Sequence, residues 1–189
     1  MNLPNKLTIL RILLVPVLVV FFYLHFPFSD LVTAGIFIIA SLTDTLDGYI
    51  ARSRNLITDF GKFMDPIADK LLVTAAFLML LERGSISAVI VIIIIAREFI
   101  VSAFRMVAAS KGMVIAAGPL GKIKTITQML AVILLLVEQP GWTLFSISIA
   151  QIMVYICTLM TIWSGLDYIV SNKHVLNYIL GKERSDDGV

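Results

Sequence analysis

Four aspartates form two closely spaced pairs in a strongly apolar stretch near the start of the chain. Asp44 and Asp47 are three residues apart, and Asp65 and Asp69 are four residues apart. In α-helices these spacings place each pair on one face of its helix. Four carboxylates brought together repel one another unless divalent cations lie between them, and such oxygen ligands suit Mg²⁺, Mn²⁺ or Ca²⁺. The spacing therefore predicts a metal site of the kind that serves phosphate chemistry.

The elements that position these aspartates are predicted to be membrane-spanning helices, because the composition excludes a soluble chain. Of 189 residues, 59% are hydrophobic and 15% are charged, whereas soluble domains carry roughly 25% charged residues. Runs such as Ile90–Ala96, which are apolar at every position, favour helices over alternating barrel strands. We predict an all-α, polytopic membrane protein with a single domain over residues 1–189. The six transmembrane helices are predicted at about 7–24, 31–51, 61–81, 86–109, 121–138 and 143–170.

The basic residues predict the orientation of these spans. The two termini, the second-to-third connection and the fourth-to-fifth connection are rich in Lys and Arg, whereas the three opposite connections contain only Arg83. The positive-inside rule then places both termini on the cytoplasmic side of the cell membrane. Because the aspartate pairs flank the second-to-third connection, they are expected to converge on that same side.

The residues around the aspartates extend the pattern. Between Asp44 and Asp69 the chain reads D-x-x-D-G-x-x-A-R-x8-G-x-x-x-D-x-x-x-D, with Gly48, Ala51, Arg52 and Gly61 at the remaining fixed positions. A glycine within a helix costs about 1 kcal/mol relative to alanine, which is reasonable where another backbone or a ligand must come close. This motif resembles the signature of the CDP-alcohol phosphotransferase family.

The resemblance implies an activity and a set of roles. Family members transfer a substituted phosphate from a CDP-linked donor to an alcohol and release CMP. By position, Asp44, Asp47, Asp65 and Asp69 are expected to bind two divalent ions, Mg²⁺ or Mn²⁺, with Asp69 also acting as the catalytic general base. The family likeness further implies a homodimer. The expected CDP-binding residues of the motif are Gly48, Ala51, Arg52 and Gly61.

The first predicted helix also resembles the entry segment of this family. Asn5 and Thr8 are expected to contact the nucleotide of the donor, and Arg11 a phosphate. The alternative is that Asn5 and Lys6 only mark the membrane surface.

Several cations follow the aspartate motif and predict an anionic acceptor. Arg97 and Arg105 lie in the fourth predicted span, and Lys111, Lys122 and Lys124 follow it. A neutral acceptor needs no such cations, whereas an arginine fork inside a membrane helix suits a phosphomonoester. Lys122 and Lys124 lie about 200° apart on a helix, so at most one of them faces the site. We predict Arg105, Lys122, Arg97 and Lys111 as ligands of the acceptor phosphate.

Two segments around these cations carry a closer resemblance. Residues 96–106 (AREFIVSAFRM) and 121–128 (GKIKTITQ) resemble bacterial members of the family that use glycerol-3-phosphate as the acceptor. The resemblance implies CDP-diacylglycerol as the donor and phosphatidylglycerophosphate and CMP as the products, formed by direct in-line displacement. The expected partners are therefore these two substrates and membrane lipid, without nucleic acid.

Structural explanations for the same cations remain open. Arg105 lies seven residues after Glu98, on nearly the same helix face, and the two are able to form a purely structural ion pair. Lys111 has the position of an ordinary cytoplasmic-side lysine, and Arg97 lies deeper in its span.

Other functions also remain open. Within the family the acceptor is alternatively inositol phosphate, serine or phosphatidylglycerol. A small transporter would use the membrane carboxylates for ions, but it predicts inverted repeats that this sequence lacks. A prenyltransferase also binds diphosphate through Asp-rich motifs, but the Asp-Gly…Ala-Arg continuation is not typical of it.

Overall fold

The computed structural model describes residues 3–53, 59–110, 113, 115, 118–138, 141–144 and 147–173; within these ranges the side chains of 3–5, 44–53, 59–63, 65, 66 and 69 are not described. Six helices occur in this part of the chain, and a two-stranded antiparallel hairpin separates the last two. The elements are α1 (Leu3–Tyr23), α2 (Ser29–Ser53), α3 (Asp59–Glu82), α4 (Ala88–Ser110), α5 (Pro119–Val137), β1 (Thr143–Leu144), β2 (Ile147–Ser148) and α6 (Ile149–Ser171).

Three of these helices are long and apolar enough to cross a membrane: Lys6–Tyr23 within α1, α5, and α6. The apolar part of α2, Ser29–Thr43, is shorter. The class predicted from the sequence, an all-α membrane protein, is confirmed. The number of six spans stays a prediction, since α4 carries three charged residues along its length.

The bundle has an apolar outer surface in addition to its apolar core, unlike a soluble protein. Large apolar side chains such as Leu13, Ile92 and Leu159 are exposed, and they cover the outside of the helices. The interior contains Arg11 and Lys124, which are 0% and 2% exposed. Lipid solvates apolar side chains, whereas charged groups within a membrane are retained where they face the bundle interior. The arrangement is therefore that of a bundle surrounded by lipid.

One end of the bundle is joined by polar contacts between three connections, and we call it the hairpin end. Arg83, just after α3, donates to Asp30 at the start of α2 at 2.7 Å, and the Arg83 guanidinium lies 4.1 Å from the centre of the Phe22 ring. Gln151, at the start of α6, donates to the Ser85 carbonyl at 2.6 Å. The end of α1, the connection between α3 and α4, and the start of α6 therefore lie together.

The opposite end, where α2 ends at Ser53 and α3 begins at Asp59, we call the motif end. The second half of α4 lies there with the start of α5 and the end of α6, since Glu98 pairs with Lys124 and Arg105 contacts Tyr168. Apart from Lys111, which lies outside the described residues, the functional residues predicted from the sequence belong to segments that meet at this end.

The sixth helix begins later than predicted. Residues 143–148 were expected to open the last span, but Thr143 pairs with Ser148 and Leu144 with Ile147 in the hairpin. Gly141, which has a φ of 96°, provides the turn before β1, a conformation that favours glycine. Ser148 then caps α6 by accepting from the Gln151 backbone N–H at 3.3 Å.

Candidate active site

The two aspartate pairs lie at matching depths on adjacent helices. α2 and α3 contact each other, and only residues 54–58 separate them along the chain. At a rise of about 1.5 Å per residue, Asp47 lies about 9 Å before the end of α2, and Asp65 about 9 Å after the start of α3. Asp44 and Asp69 lie about 14–15 Å from those same helix ends. The backbone thus places the four positions at two matching levels near the motif end, one aspartate from each helix at each level.

Only the backbone is described for these four aspartates and for Asn5, Gly48, Ala51, Arg52 and Gly61. Lys111 lies outside the described residues altogether. Among the described residues there is no group of three or more His, Cys, Asp or Glu side chains that could hold a metal ion. The convergence of the four carboxylates therefore stays a prediction. Their chemistry fits a divalent cation, since the set consists of hard, anionic oxygen ligands on two helices in contact.

The inner face of α1 carries two of the predicted donor-binding residues. Thr8 and Arg11 are fully buried, in line with Val15 and Leu18, at the three- and four-residue spacing of one helix face. α1 packs against α2 and α3, the two helices that carry the aspartates. A guanidinium within a membrane bundle is stable only beside anions or strong acceptors. Its burial on this face is the arrangement expected of a residue that faces an anionic site.

A group of charged side chains joins α3, α4 and α5. Glu98 pairs with Lys124, and the Arg97 Nη1 lies 3.2 Å from the same Glu98 Oε1. Glu98, Lys124 and Lys70 line a small cavity of about 20 Å³, which has room for one water molecule. Thr74 is a further polar residue of its wall.

This arrangement excludes one interpretation of the sequence. Within the described residues, Glu98 forms its ion pairs with Lys124 and Arg97, and not with Arg105. Arg105 instead donates from Nε to the hydroxyl of Tyr168 at 3.3 Å, and its guanidinium lies 5.2 Å from the centre of the Tyr168 ring. The structural Arg105–Glu98 pair, which helical spacing left open as an alternative to acceptor binding, does not form between these two described side chains. Glu98 pairs with Lys124 of α5 instead, and Arg105 with Tyr168 of α6.

The structure also separates the two lysines of α5. Lys122, the residue predicted to bind the acceptor, lies on the exposed side of the helix, whereas Lys124 is buried beside Glu98. Gln128, one turn further along, is buried on the same face as Lys124. The expectation that only one of the two lysines faces inward is met, and that one is Lys124. Binding of the acceptor by Lys122 stays a prediction.

Arg97 has a structural environment of its own. A Cβ atom added at Gly165 of α6 would lie 3.2 Å from the Arg97 Cγ, so the glycine lets α6 approach this side chain closely. Arg97 is thus enclosed between Glu98 and α6, and it contributes to the packing of α4.

Tyr168 is the residue of this region that the sequence did not single out. Its only signal is a polar aromatic side chain near the end of an apolar helix, at the level of the other polar residues. Its contact with Arg105 joins residues 63 positions apart, and such a contact depends on how α4 and α6 pack.

Comparison with known protein families matches most of the chain. The model of the CDP-alcohol phosphatidyltransferase family matches residues 1–163. The chain belongs to this family.

Curated relatives match over nearly their full length. A CDP-diacylglycerol–glycerol-3-phosphate 3-phosphatidyltransferase of Bacillus subtilis (strain 168) is 43% identical over 187 residues, covering 93% of this chain and 97% of the relative. The protein of the same name from Rickettsia bellii (strain RML369-C) is 40% identical over 168 residues, covering 88% of this chain and 93% of the relative. That from Pseudomonas fluorescens is 38% identical over 174 residues, covering 89% of each chain.

Proposed function

We propose that this chain is a membrane-bound phosphatidyltransferase of phospholipid synthesis. It transfers phosphatidyl from CDP-diacylglycerol to glycerol-3-phosphate and releases phosphatidylglycerophosphate and CMP. The observation that carries the proposal is the full-length match to relatives named for this reaction. The complete aspartate motif, which lies on two helices in contact, also supports it.

The aspartates supply the chemistry of the transfer. Asp44, Asp47, Asp65 and Asp69 would hold two divalent cations, Mg²⁺ or Mn²⁺. Bound there, the cations neutralise the diphosphate of the donor and the charge that develops on the leaving CMP. Asp69 takes the proton of the acceptor hydroxyl as that oxygen bonds to the phosphorus carrying diacylglycerol. The bond from this phosphorus to the bridging oxygen breaks, and CMP leaves with the electron pair.

The remaining motif residues bind the donor. Gly48, Ala51 and Gly61 leave space for the nucleotide, since small side chains on adjacent helices allow a ligand to approach the backbone. Arg52 lies at the water boundary, where it neutralises phosphate charge. On α1, Asn5 and Thr8 contact the nucleotide and Arg11 a phosphate; the burial of Thr8 and Arg11 against α2 and α3 supports these roles.

The acceptor binds through cations of α4 and the segments that follow it. Arg105, Arg97, Lys111 and Lys122 are the proposed ligands of its phosphate. Of these, Arg105 has the most favourable described position, because it is half-buried and its guanidinium has a single described hydrogen-bond partner. Arg97 is already paired with Glu98, so it contributes mainly to the positive electrostatic potential of the site.

The protein as a whole is proposed to be one domain with six spans in the cytoplasmic membrane, with its termini and active site on the cytoplasmic side. That side supplies both CDP-diacylglycerol headgroups and glycerol-3-phosphate. A homodimer is the proposed assembly.

The test is CMP release by purified protein in detergent with CDP-diacylglycerol and one alcohol at a time. Glycerol-3-phosphate should support turnover, while inositol phosphate, serine and phosphatidylglycerol should not. A chelator should abolish the reaction, and added Mg²⁺ or Mn²⁺ should restore it. Turnover with serine but not with glycerol-3-phosphate would contradict the proposed acceptor. Full activity in excess chelator would contradict the metal mechanism.

A further inference from the structure

Arg105 is held at the motif end by one residue of α6. Its Nε donates to the Tyr168 hydroxyl at 3.3 Å, and its guanidinium stands 5.2 Å from the centre of the Tyr168 ring. Among the residues whose side chains are described, Tyr168 is the one hydrogen-bond partner of Arg105. The contact uses Nε and leaves both terminal Nη groups for another ligand. A paired fork of this kind matches two oxygens of a phosphate.

Tyr168 is itself fixed from several directions. It is 7% exposed, and the Phe104 ring packs on it edge to face, with the centroids 5.7 Å apart. Its backbone carbonyl accepts from the Asn172 side chain at 2.8 Å and from the Asn172 backbone N–H at 3.2 Å, which closes the end of α6. Tyr168 therefore provides a rigid surface for a side chain that otherwise has several rotatable bonds.

We propose that Tyr168 is a positioning residue for the acceptor phosphate: its ring and hydroxyl hold the Arg105 guanidinium so that both Nη groups face a phosphomonoester. The inference rests on the proposed function, and it adds α6 to a site otherwise built from α1 to α5. Tyr168 lies beyond residues 1–163, the part that the family model matches. Orienting the guanidinium in advance lowers the entropy lost when the phosphate binds.

The decisive variant is Tyr168→Phe, which keeps the ring and removes only the hydroxyl. The KM for glycerol-3-phosphate should rise about fivefold, the effect of losing one hydrogen bond of ordinary net strength. The kcat and the KM for CDP-diacylglycerol should stay within about twofold of wild type, because the lost contact serves binding of the acceptor phosphate and not binding of the donor or the reacting bonds. Tyr155→Phe is the matched control, since Tyr155 lies on the same helix and is 53% exposed.

A double variant tests whether Tyr168 acts through Arg105. Arg105→Ala should raise the KM for glycerol-3-phosphate more than that for the donor, and adding Tyr168→Phe to it should change neither further. A Tyr168→Phe enzyme with unchanged KM for glycerol-3-phosphate would overturn the proposal. So would equal losses with both substrates together with a lowered Tm, because these indicate a merely structural role.

Binding measured without turnover separates this inference from the proposed function. Glycerol-3-phosphate should raise the Tm of the wild-type protein in the presence of CMP and Mg²⁺, and Tyr168→Phe should shift that response to about fivefold higher concentration. Wild-type protein that binds glycerol-3-phosphate and releases no CMP would contradict the proposed function, while the shift in Tyr168→Phe would still support the role of Tyr168. Absence of any binding to the wild-type protein would reject both.

Discussion

At the scale of single residues, the motif end contains charges of two kinds. The aspartates of α2 and α3 are proposed to be compensated by bound divalent cations. The group around Glu98, by contrast, is compensated by side chains of the protein itself: Lys124 and Arg97 lie against one carboxylate. Charged residues within a membrane are costly unless they are paired, so the two groups should respond differently to the loss of a carboxylate. Loss of a carboxylate among the aspartates should affect catalysis, whereas loss of the Glu98 carboxylate should affect folding.

Asp69→Asn should abolish turnover and largely retain donor binding. The amide keeps the size of the side chain and cannot take the acceptor proton, and general-base catalysis contributes about 10²–10⁴-fold to rates. CMP release and binding of CDP-diacylglycerol would be measured on the same preparation. Asp30→Asn at the hairpin end is the control, since it removes only an exposed contact with Arg83. Near-normal turnover of Asp69→Asn would reject its role as the base.

Glu98→Gln should lower stability by about 2–4 kcal/mol, because it leaves the buried ammonium of Lys124 beside a neutral amide. Thermal unfolding in detergent would show this as a lowered Tm. Replacing both partners, as in Glu98→Gln with Lys124→Met, should recover part of the loss, since the buried ammonium is then gone and only Arg97 is left without its carboxylate. Glu82→Gln, an exposed position at the hairpin end, serves as the control. A double variant less stable than Glu98→Gln would contradict the pairing.

At the scale of elements, the sequence predicts what depends on local pattern and misses what depends on packing. Hydropathy is a property of consecutive residues, so the helices were predicted close to their observed bounds. The strands of the hairpin contain apolar residues that read equally well as the start of a helix, and the sixth helix was therefore predicted too early. The partner of Glu98 lies 26 residues away on α5, and no spacing within α4 identifies it.

In the candidate site, too, the sequence predicts what depends on local pattern and misses what depends on packing. The aspartate motif lies within 26 consecutive residues, so its positions on α2 and α3 follow from helix geometry and the family likeness. For the two lysines of α5 the helical period shows that they face apart, but which of them faces inward depends on where α4 lies. The position of Tyr168 against Arg105 depends on the packing of α6 against α4, and the sequence contains no local sign of it.

At the scale of the whole molecule, the proposed orientation depends most on α4. This helix carries Arg97, Glu98 and Arg105, yet the six-span arrangement requires it to cross the membrane. Its 23 residues reach about 34 Å, enough for a hydrocarbon layer of about 30 Å. Arg97 and Glu98 lie near the middle of this helix, where a charge is most costly. Their cost is reduced by pairing, since Glu98 pairs with Lys124 of α5, and Arg105 nearer the helix end contacts Tyr168 of α6. If α4 crosses the membrane, the hairpin end and the motif end of the bundle lie on opposite sides of it.

Two serines test this crossing with little change in structure. Ser87 precedes α4, Ser110 ends it, and both are exposed. The native chain has one cysteine, Cys157, which is buried, so it provides a background with little labelling. In intact cells a membrane-impermeant maleimide should label Ser87→Cys, while Ser110→Cys should react only after the membrane is permeabilised. This follows because the motif end is proposed to face the cytoplasm.

The pattern of labelling distinguishes the possible errors. Reversed labelling would leave the six spans intact and place the active site on the outer side, away from the cytoplasmic pool of glycerol-3-phosphate. Labelling of both positions in intact cells would mean that α4 does not cross the membrane. The pairing of Glu98 with Lys124 would remain in that case, because Lys124 is 2% exposed within the bundle itself. The loss of stability expected for Glu98→Gln would then persist, so labelling tests the placement of α4 and unfolding tests the buried pair, each independently of the other.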